Sequence, residues 1–257
     1  MTTTEQPWIA ARGRSPNALA RLFCLPHAGS GAVFYQSWCE GMPGIDVCRV
    51  QLPGRETRFV EPAVDDVHTL VPQIAAGIEP LLDRPFAIFG HSMGAVVGYE
   101  LVRFLRERGK TPLAFFPSGH RAPHLPHPRP PVARTSDERF LAEVRWMGGT
   151  PEEFLSDPEM LEVILPTLRA DVHLWESYRY QEAAPLTCSV VAFGGREDKV
   201  ATATEIEPWS EHAAGTFACH IFDGDHFFLE AQRSDMLPIL TTTIAAALRK
   251  SRSGQGG

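Results

Sequence analysis

Long apolar runs are missing from this sequence: none approaches the roughly 18 residues that a membrane-spanning helix requires. An excess of positive charge is missing too. Lys and Arg number 24 against 31 Asp and Glu, a net charge of −7, which disfavours a nucleic-acid partner. The five cysteines, at 24, 39, 48, 188 and 219, show no Cys-x-x-Cys spacing, and three lie within apolar runs. They read as small buried hydrophobes in a reducing compartment, neither disulfide staples nor zinc ligands. Residues 1–6 are polar and lack the charged and apolar regions of a signal peptide, so a cytoplasmic location is expected.

What is present is ordinary for a globular chain. The hydrophobic fraction is 44% and the charged fraction 21%, at a length of 257 residues that suits one large domain with a sizeable core. Short apolar runs at 22–25, 47–52, 86–89, 113–116, 189–193 and 219–222 read as buried strands. Between them, Val67, Leu70, Val71, Ile74, Ile78 and Leu81 recur at spacings of three and four, one apolar helix face within 65–82. Residues 34–39 read as a short helix and 95–108 as a longer one that stops at Gly109. Strand and helix alternate, which predicts an α/β architecture: a mostly parallel sheet flanked by helices.

The alternation breaks after residue 118. Residues 119–134 read as loop, with prolines at 123, 126, 128, 130 and 131. Helical patterns follow, one from an N-cap at Ser136, one from Glu152, one over 158–169 and one from Val172 to about 178. The expected organisation is therefore a flexible leader at 1–20, a core made of 21–118 and 182–249, and an inserted helical lid at 119–181. A last helix is expected over 236–248, then a disordered tail at 250–257. Phe140, Val144, Phe154, Leu161 and Leu174 are the lid side chains expected to face a substrate chamber.

Gly90-His91-Ser92-Met93-Gly94 lies between the strand at 86–89 and the helix at 95–108. Strand, Gly-x-Ser-x-Gly, helix is the arrangement of a nucleophile elbow, in which the two glycines remove side chains that would clash in the tight reversal. Ser92 then sits at a helix N-terminus, where partial positive charge favours a developing oxyanion. A serine hydroxyl needs a base, and the base a carboxylate to orient it. The late strands supply both: Asp198 follows the strand at 189–193, and His226 follows the strand at 219–222. Glu197 is the local competitor for the acid. His91 reads as structural, because its place beside Ser92 on the chain turns it the wrong way. His27, on the glycine-rich turn after the first strand, reads as packing before catalysis. His120, His124 and His127 resemble a ligand cluster but lack a nearby acidic residue, so no metal is expected there.

These residues resemble the type II, stand-alone thioesterases of polyketide and non-ribosomal peptide biosynthesis, which have the α/β-hydrolase fold. The resemblance runs from about residue 22 to 248. It is carried by Pro26-His27-Ala28-Gly29, Leu52-Pro53-Gly54-Arg55-Glu56, the serine elbow, Leu168-Arg169-Ala170-Asp171, Gly194-Gly195-x-x-Asp198 and His226-Phe227-Phe228-Leu229. It implies a Ser92–His226–Asp198 triad, with the backbone N–H groups of Ala28 and Met93 as oxyanion hole. It also implies hydrolysis of aberrant or stalled acyl groups from the phosphopantetheine arm of an acyl or peptidyl carrier protein. No cofactor of the enzyme's own, no membrane partner and a monomer are expected. Two positions depart from the family pattern: Ser30 replaces a second glycine after His27-Ala28-Gly29, and Asp225 replaces the glycine before the histidine. A carboxylate at 225 raises the imidazole pKa if its side chain faces the ring.

Three other readings use the same residues: an esterase or lipase for free small esters, an acyltransferase, and a non-catalytic binding protein on a hydrolase fold. For an acidic carrier protein, one docking candidate stands out. The stretch from 111 to 136 has no Asp or Glu but holds Arg121, Arg129 and Arg134, and His120, His124 and His127 add charge as pH falls toward ~6.5. The plainer reading is a proline-stiffened connector whose arginines keep it soluble.

Overall fold

The computed structural model describes residues 8–10, 15 and 17–253. Six strands form one sheet: β1 (Ala20–Leu25), β2 (Ile45–Arg49), β3 (Phe86–His91), β4 (Ala114–Ser118), β5 (Ser189–Gly195) and β6 (Phe217–Phe222). Their order is β2-β1-β3-β4-β5-β6, and all five pairings are parallel. Every residue of β1 to β4 is buried, because helices cover both faces; this is why the strands read as unbroken apolar runs.

Successive side chains enter two different cores. Phe23 and Leu25 of β1 face α2 (Val67–Ile78) and α3 (Met93–Arg106), through Leu70, Ile74, Val97 and Leu101. Leu22 and Cys24 face α1 (Trp38–Gly41) and α9 (Arg233–Ser253), through Trp38, Met236, Leu240 and Ile244. Asp66 starts α2 by accepting the Thr69 N–H at 2.7 Å. Among the described residues, no helix is long and apolar enough to cross a membrane.

The chain runs from β1 outward to β2, returns past β1 to β3, and then builds outward through β4, β5 and β6. The direction of growth therefore reverses between β1 and β3, whose ends lie side by side, Leu25 paired with Gly90. In open parallel sheets, ligands bind in the crevice at the carboxyl ends of the strands flanking such a reversal.

Between β4 and β5 lies the helical insertion: α4 (Asp137–Met147), α5 (Glu152–Ser156) and α6 (Pro158–Ser177). Val132, Phe140, Val144, Leu155, Leu168 and Val172 give it a small core of its own. Glu176 straps the proline-rich loop to α6, its carboxylate accepting the N–H groups of Val132 at 2.8 Å and Ala133 at 3.0 Å. The two helices expected over 158–178 are one. Asp157 caps the joint helix by accepting from the Glu159 and Met160 N–H groups, and Pro166 sits on its exposed side, where the unpaired carbonyl is open to water. With so small a separate core, α4 and α5 are expected to exchange amide hydrogens at least about tenfold faster than α3. Equal, deep protection in hydrogen-exchange mass spectrometry would instead mean a rigid cap.

Two expectations change, at the ends of the chain, and two short helices are added. The leader is not loose where it is described: Ile9 bridges to Val50 and is buried in the core, and Trp8 lies under the Arg58 guanidinium at 4.0 Å. The rest of that leader, 1–7, 11–14 and 16, lies outside the described residues. At the other end α9 runs to Ser253, and only 254–257 of the expected tail lie outside the description. Residues 203–212, unassigned in sequence, form α7 (Ala203–Ile206) and a short 3-10 turn that buries Trp209. One more short helix, α8 (Phe228–Ala231), precedes α9.

Candidate active site

β3 ends in Gly90-His91, and α3 begins at Met93, so Ser92 must carry the whole reversal. Its backbone sits at φ 52° and ψ −119°, a strained conformation for a residue with a Cβ. Its N–H donates to the Ser118 carbonyl of β4 at 2.8 Å, which pins the turn. A Cβ at Gly90 would lie 1.9 Å from the Gly94 carbonyl oxygen, and one at Gly94 would lie 2.4 Å from that of Leu25. Backbone cannot yield to such clashes, so both positions require glycine.

The turns after β5 and β6 bring up the partners. His226 Nε2 lies 3.0 Å from Ser92 Oγ, and His226 Nδ1 lies 2.8 Å from Asp198 Oδ2. The other carboxylate oxygen, Oδ1, accepts the N–H groups of Val200 at 2.8 Å and Ala201 at 3.0 Å. An ionised carboxylate only accepts, so Nδ1 carries the proton toward Asp198 and Nε2 is left to accept from the serine hydroxyl. Glu197 instead accepts the Gly224 N–H at 2.5 Å on the exposed side of the same loop. Asp198 is thus the carboxylate joined to His226, and Glu197 is not.

The turn after β1 lies beside the elbow. Among the described residues, the N–H groups of Ala28 and Met93 donate to no other protein group, whereas Gly29 and Ser30 are engaged. Two free amides on neighbouring strand ends, one at the N-terminus of a 14-residue helix, are what an oxyanion site needs. Ser30 keeps the turn closed despite replacing a glycine, its N–H donating to the His27 carbonyl at 3.1 Å.

The neighbouring histidines are neutral packing elements. His91 is fully buried, burial holds its pKa well below the ordinary value, and its Nδ1 lies 3.0 Å from Ser118 Oγ. His27 packs edge-on against Phe34 and Phe227, and burial pushes it down to about 3. Asp225 does not bond to the His226 ring: its Oδ1 accepts the Phe227 N–H at 2.9 Å, closing its own turn. Ser118, which holds both Ser92 and His91, was missed in sequence; a polar residue ending an apolar strand was its signal.

The docking expectation is corrected. Arg121 is buried at 7% exposure, paired with Glu205 at 2.8 Å and donating to the Pro126 carbonyl at 2.9 Å, so it cannot meet a partner. Arg129 makes two bonds of 2.7 Å to Glu143 and covers Trp146. Only Arg134, exposed beside His173, has no carboxylate partner among these three. Nor do His120 and His127 gain charge readily: burial takes His120 down to about 3 and lowers His127, which stacks on Trp175.

Ser92 lines a tight cavity of about 40 Å³ that continues between His120, His127, Trp146 and Trp175. A much larger cleft, about 710 Å³, opens beside His27, Ala28 and Phe227 under Phe154, Met160, Ile164 and Leu168 of the insertion. Of the five lid side chains expected there, Phe154 alone lines it. Phe140 and Val144 fill the insertion's own core, Leu161 borders another groove, and Leu174 joins the sheet core.

A family model described as a thioesterase domain matches residues 20–248. The chain belongs to the thioesterase domain family. It is 40% identical over 246 residues to linear gramicidin dehydrogenase LgrE of Brevibacillus parabrevis, covering 94% of each chain. It is 40% identical over 228 residues to thioesterase PikA5 of Streptomyces venezuelae, covering 88% of this chain and 81% of that one. The solved type II thioesterase BorB, from the borrelidin biosynthetic cluster, superposes with a TM-score of 0.84 at 36% identity, covering 92% of this chain and 97% of BorB. The redox word in the first name describes that relative; the model spanning this chain is a hydrolase's. This thioesterase has the α/β-hydrolase fold, and its relatives include type II thioesterases from NRPS/PKS biosynthetic pathways.

Proposed function

We propose that the enzyme removes acyl groups from the phosphopantetheine arm of acyl or peptidyl carrier proteins in polyketide or non-ribosomal peptide synthesis, clearing aberrant or stalled intermediates. The observation that carries this reading is the continuous hydrogen-bonded line from Ser92 through His226 to Asp198, within a chain of the thioesterase family. Ser92 Oγ attacks the thioester carbonyl as its proton passes to His226 Nε2. Asp198 holds the ring and stabilises the imidazolium. The Ala28 and Met93 N–H groups meet the oxyanion. Collapse expels the pantetheine thiolate, which takes the proton from His226. Water then attacks the acyl-enzyme with His226 again as base, releasing a carboxylic acid and Ser92.

The cofactor-derived arm arrives on the substrate, so the enzyme needs none of its own. The role belongs in the cytoplasm, beside the synthases. In the test, a carrier protein bearing an acyl-phosphopantetheine is incubated with the enzyme and its intact mass followed, with a small oxygen ester assayed in parallel. Loss of the acyl mass from the carrier is expected, with conversion to the free thiol form. Hydrolysis of the ester while the carrier stays acylated would make the enzyme a general esterase instead.

A further inference from the structure

Three sequence stretches far apart in the chain converge on one buried ion pair. Arg55 donates to both carboxylate oxygens of Asp171, at 2.6 and 2.8 Å, and the two residues are 8% and 1% exposed. Asp171 belongs to α6 of the insertion and Arg55 to the loop after β2. Arg55 Nε donates to the Pro53 carbonyl at 3.2 Å, and two further bonds go to the turn that carries Ala28. Asp171 Oδ2 accepts the Gly29 N–H at 2.8 Å, and Arg55 Nη1 donates to the Ser30 carbonyl at 3.0 Å. Glu56, itself at φ 48°, accepts the Val33 N–H at 2.9 Å and holds the far side of the same turn.

Stability alone does not account for this arrangement. Desolvating two charges is costly, and an apolar pair of similar volume would join α6 to the core at least as firmly. An apolar pair would not aim an acceptor at the Gly29 amide and a donor at the Ser30 carbonyl. The peptide unit bearing the Ala28 N–H is fixed by its own His27 carbonyl, which accepts from Ser30. The next unit is fixed by Asp171 through the Gly29 N–H, and the unit two further on by Arg55 through the Ser30 carbonyl. We propose that Asp171, with Arg55, is a positioning residue that aims the Ala28 N–H at the oxyanion, so that seating α6 and completing the oxyanion site are one event. The proposal rests on Ser92 being the nucleophile and Ala28 an oxyanion donor. An acyl group too bulky for α6 to seat over it is then bound but turned over slowly, and selectivity appears in kcat.

The test uses a small acyl thioester of N-acetylcysteamine and two variants. Asp171→Asn keeps the shape but loses the charge; Arg55→Met with Asp171→Leu removes both charges while keeping volume. Both are expected to lower kcat about tenfold or more with KM changed less than about threefold. Inhibition by an acyl trifluoromethyl ketone, whose adduct carries the oxyanion, should weaken by the same factor as kcat/KM. Binding of the matching methyl ketone should not change. A raised KM with kcat intact, unchanged trifluoromethyl ketone inhibition, or failure of both variants to fold would return the pair to a purely structural role and overturn the proposal. Fluorophosphonate labelling of the unaltered enzyme separates the two levels. Absence of label on Ser92 overturns the serine reading and this proposal with it, whereas labelling with unchanged variants overturns this proposal alone.

Discussion

Ser92→Ala is expected to lower turnover by about six orders of magnitude, the loss that follows removal of a triad serine. Nothing nearby can replace the hydroxyl. His226 Nε2 would face a methyl group, and the two neighbouring imidazoles are buried and neutral. The fold should survive, because among the described residues the only side-chain bond lost is that to His226, and the backbone bond to Ser118 remains. Residual catalysis of about a thousandfold over water is expected from the amides and binding alone. A fluorophosphonate should label the unaltered enzyme at Ser92, seen as an adduct on the peptide containing residue 92, and leave the variant unlabelled. Substantial activity or labelling in Ser92→Ala would remove the serine from the mechanism.

Asp198→Asn is expected to cut the rate by about four orders of magnitude, and Glu197→Gln to change it little. The reason lies in the loop itself. Val200 and Ala201 point two N–H donors at one side of residue 198, so an asparagine must turn its oxygen there and its NH2 toward His226. Nδ1 is then forced to accept, the ring proton moves to Nε2, and it points at Ser92 Oγ. That tautomer cannot take the serine proton. Glu197 faces the Gly224 N–H and solvent, so its amide variant touches no part of this line. The comparison is made on kcat for a small acyl thioester. If Glu197→Gln were the damaging change, the acid would have to be reassigned and the loop geometry with it.

The sequence by itself determined the sheet, the elbow and the order serine, acid, histidine. Strands buried on both faces are apolar at most positions, so β1, β3 and β4 stand out as runs without reference to any partner. The glycines at 90 and 94 answer a steric demand that is local to five residues. Position after a late strand was enough to bring forward Asp198 and His226, because strand ends fix where their turns lie. The sequence preferred Asp198 and left adjacent Glu197 as its competitor; the packed loop is what shows which carboxylate meets the ring and which meets Gly224.

Charge was read least well. An acid-free stretch with three arginines looks like a patch, but the acids that neutralise Arg121 and Arg129 come from elsewhere, Glu205 on α7 and Glu143 on α4. The same holds for His120 and His127, whose charge is set by burial and not by identity. Short elements such as α7 were invisible for a related reason. Four residues cannot hold a helix by propensity, and its existence depends on packing around Ile206 and Trp209. The meeting of Arg55, Asp171 and Gly29 was likewise decided only by the tertiary structure. Each stretch is recognisable alone, but an ion pair between residues 116 apart leaves no local period or propensity behind it. Side-chain chemistry and short-range sterics are written along the chain; which charges meet, and which are kept from water, depends on the three-dimensional packing of elements that are distant in sequence.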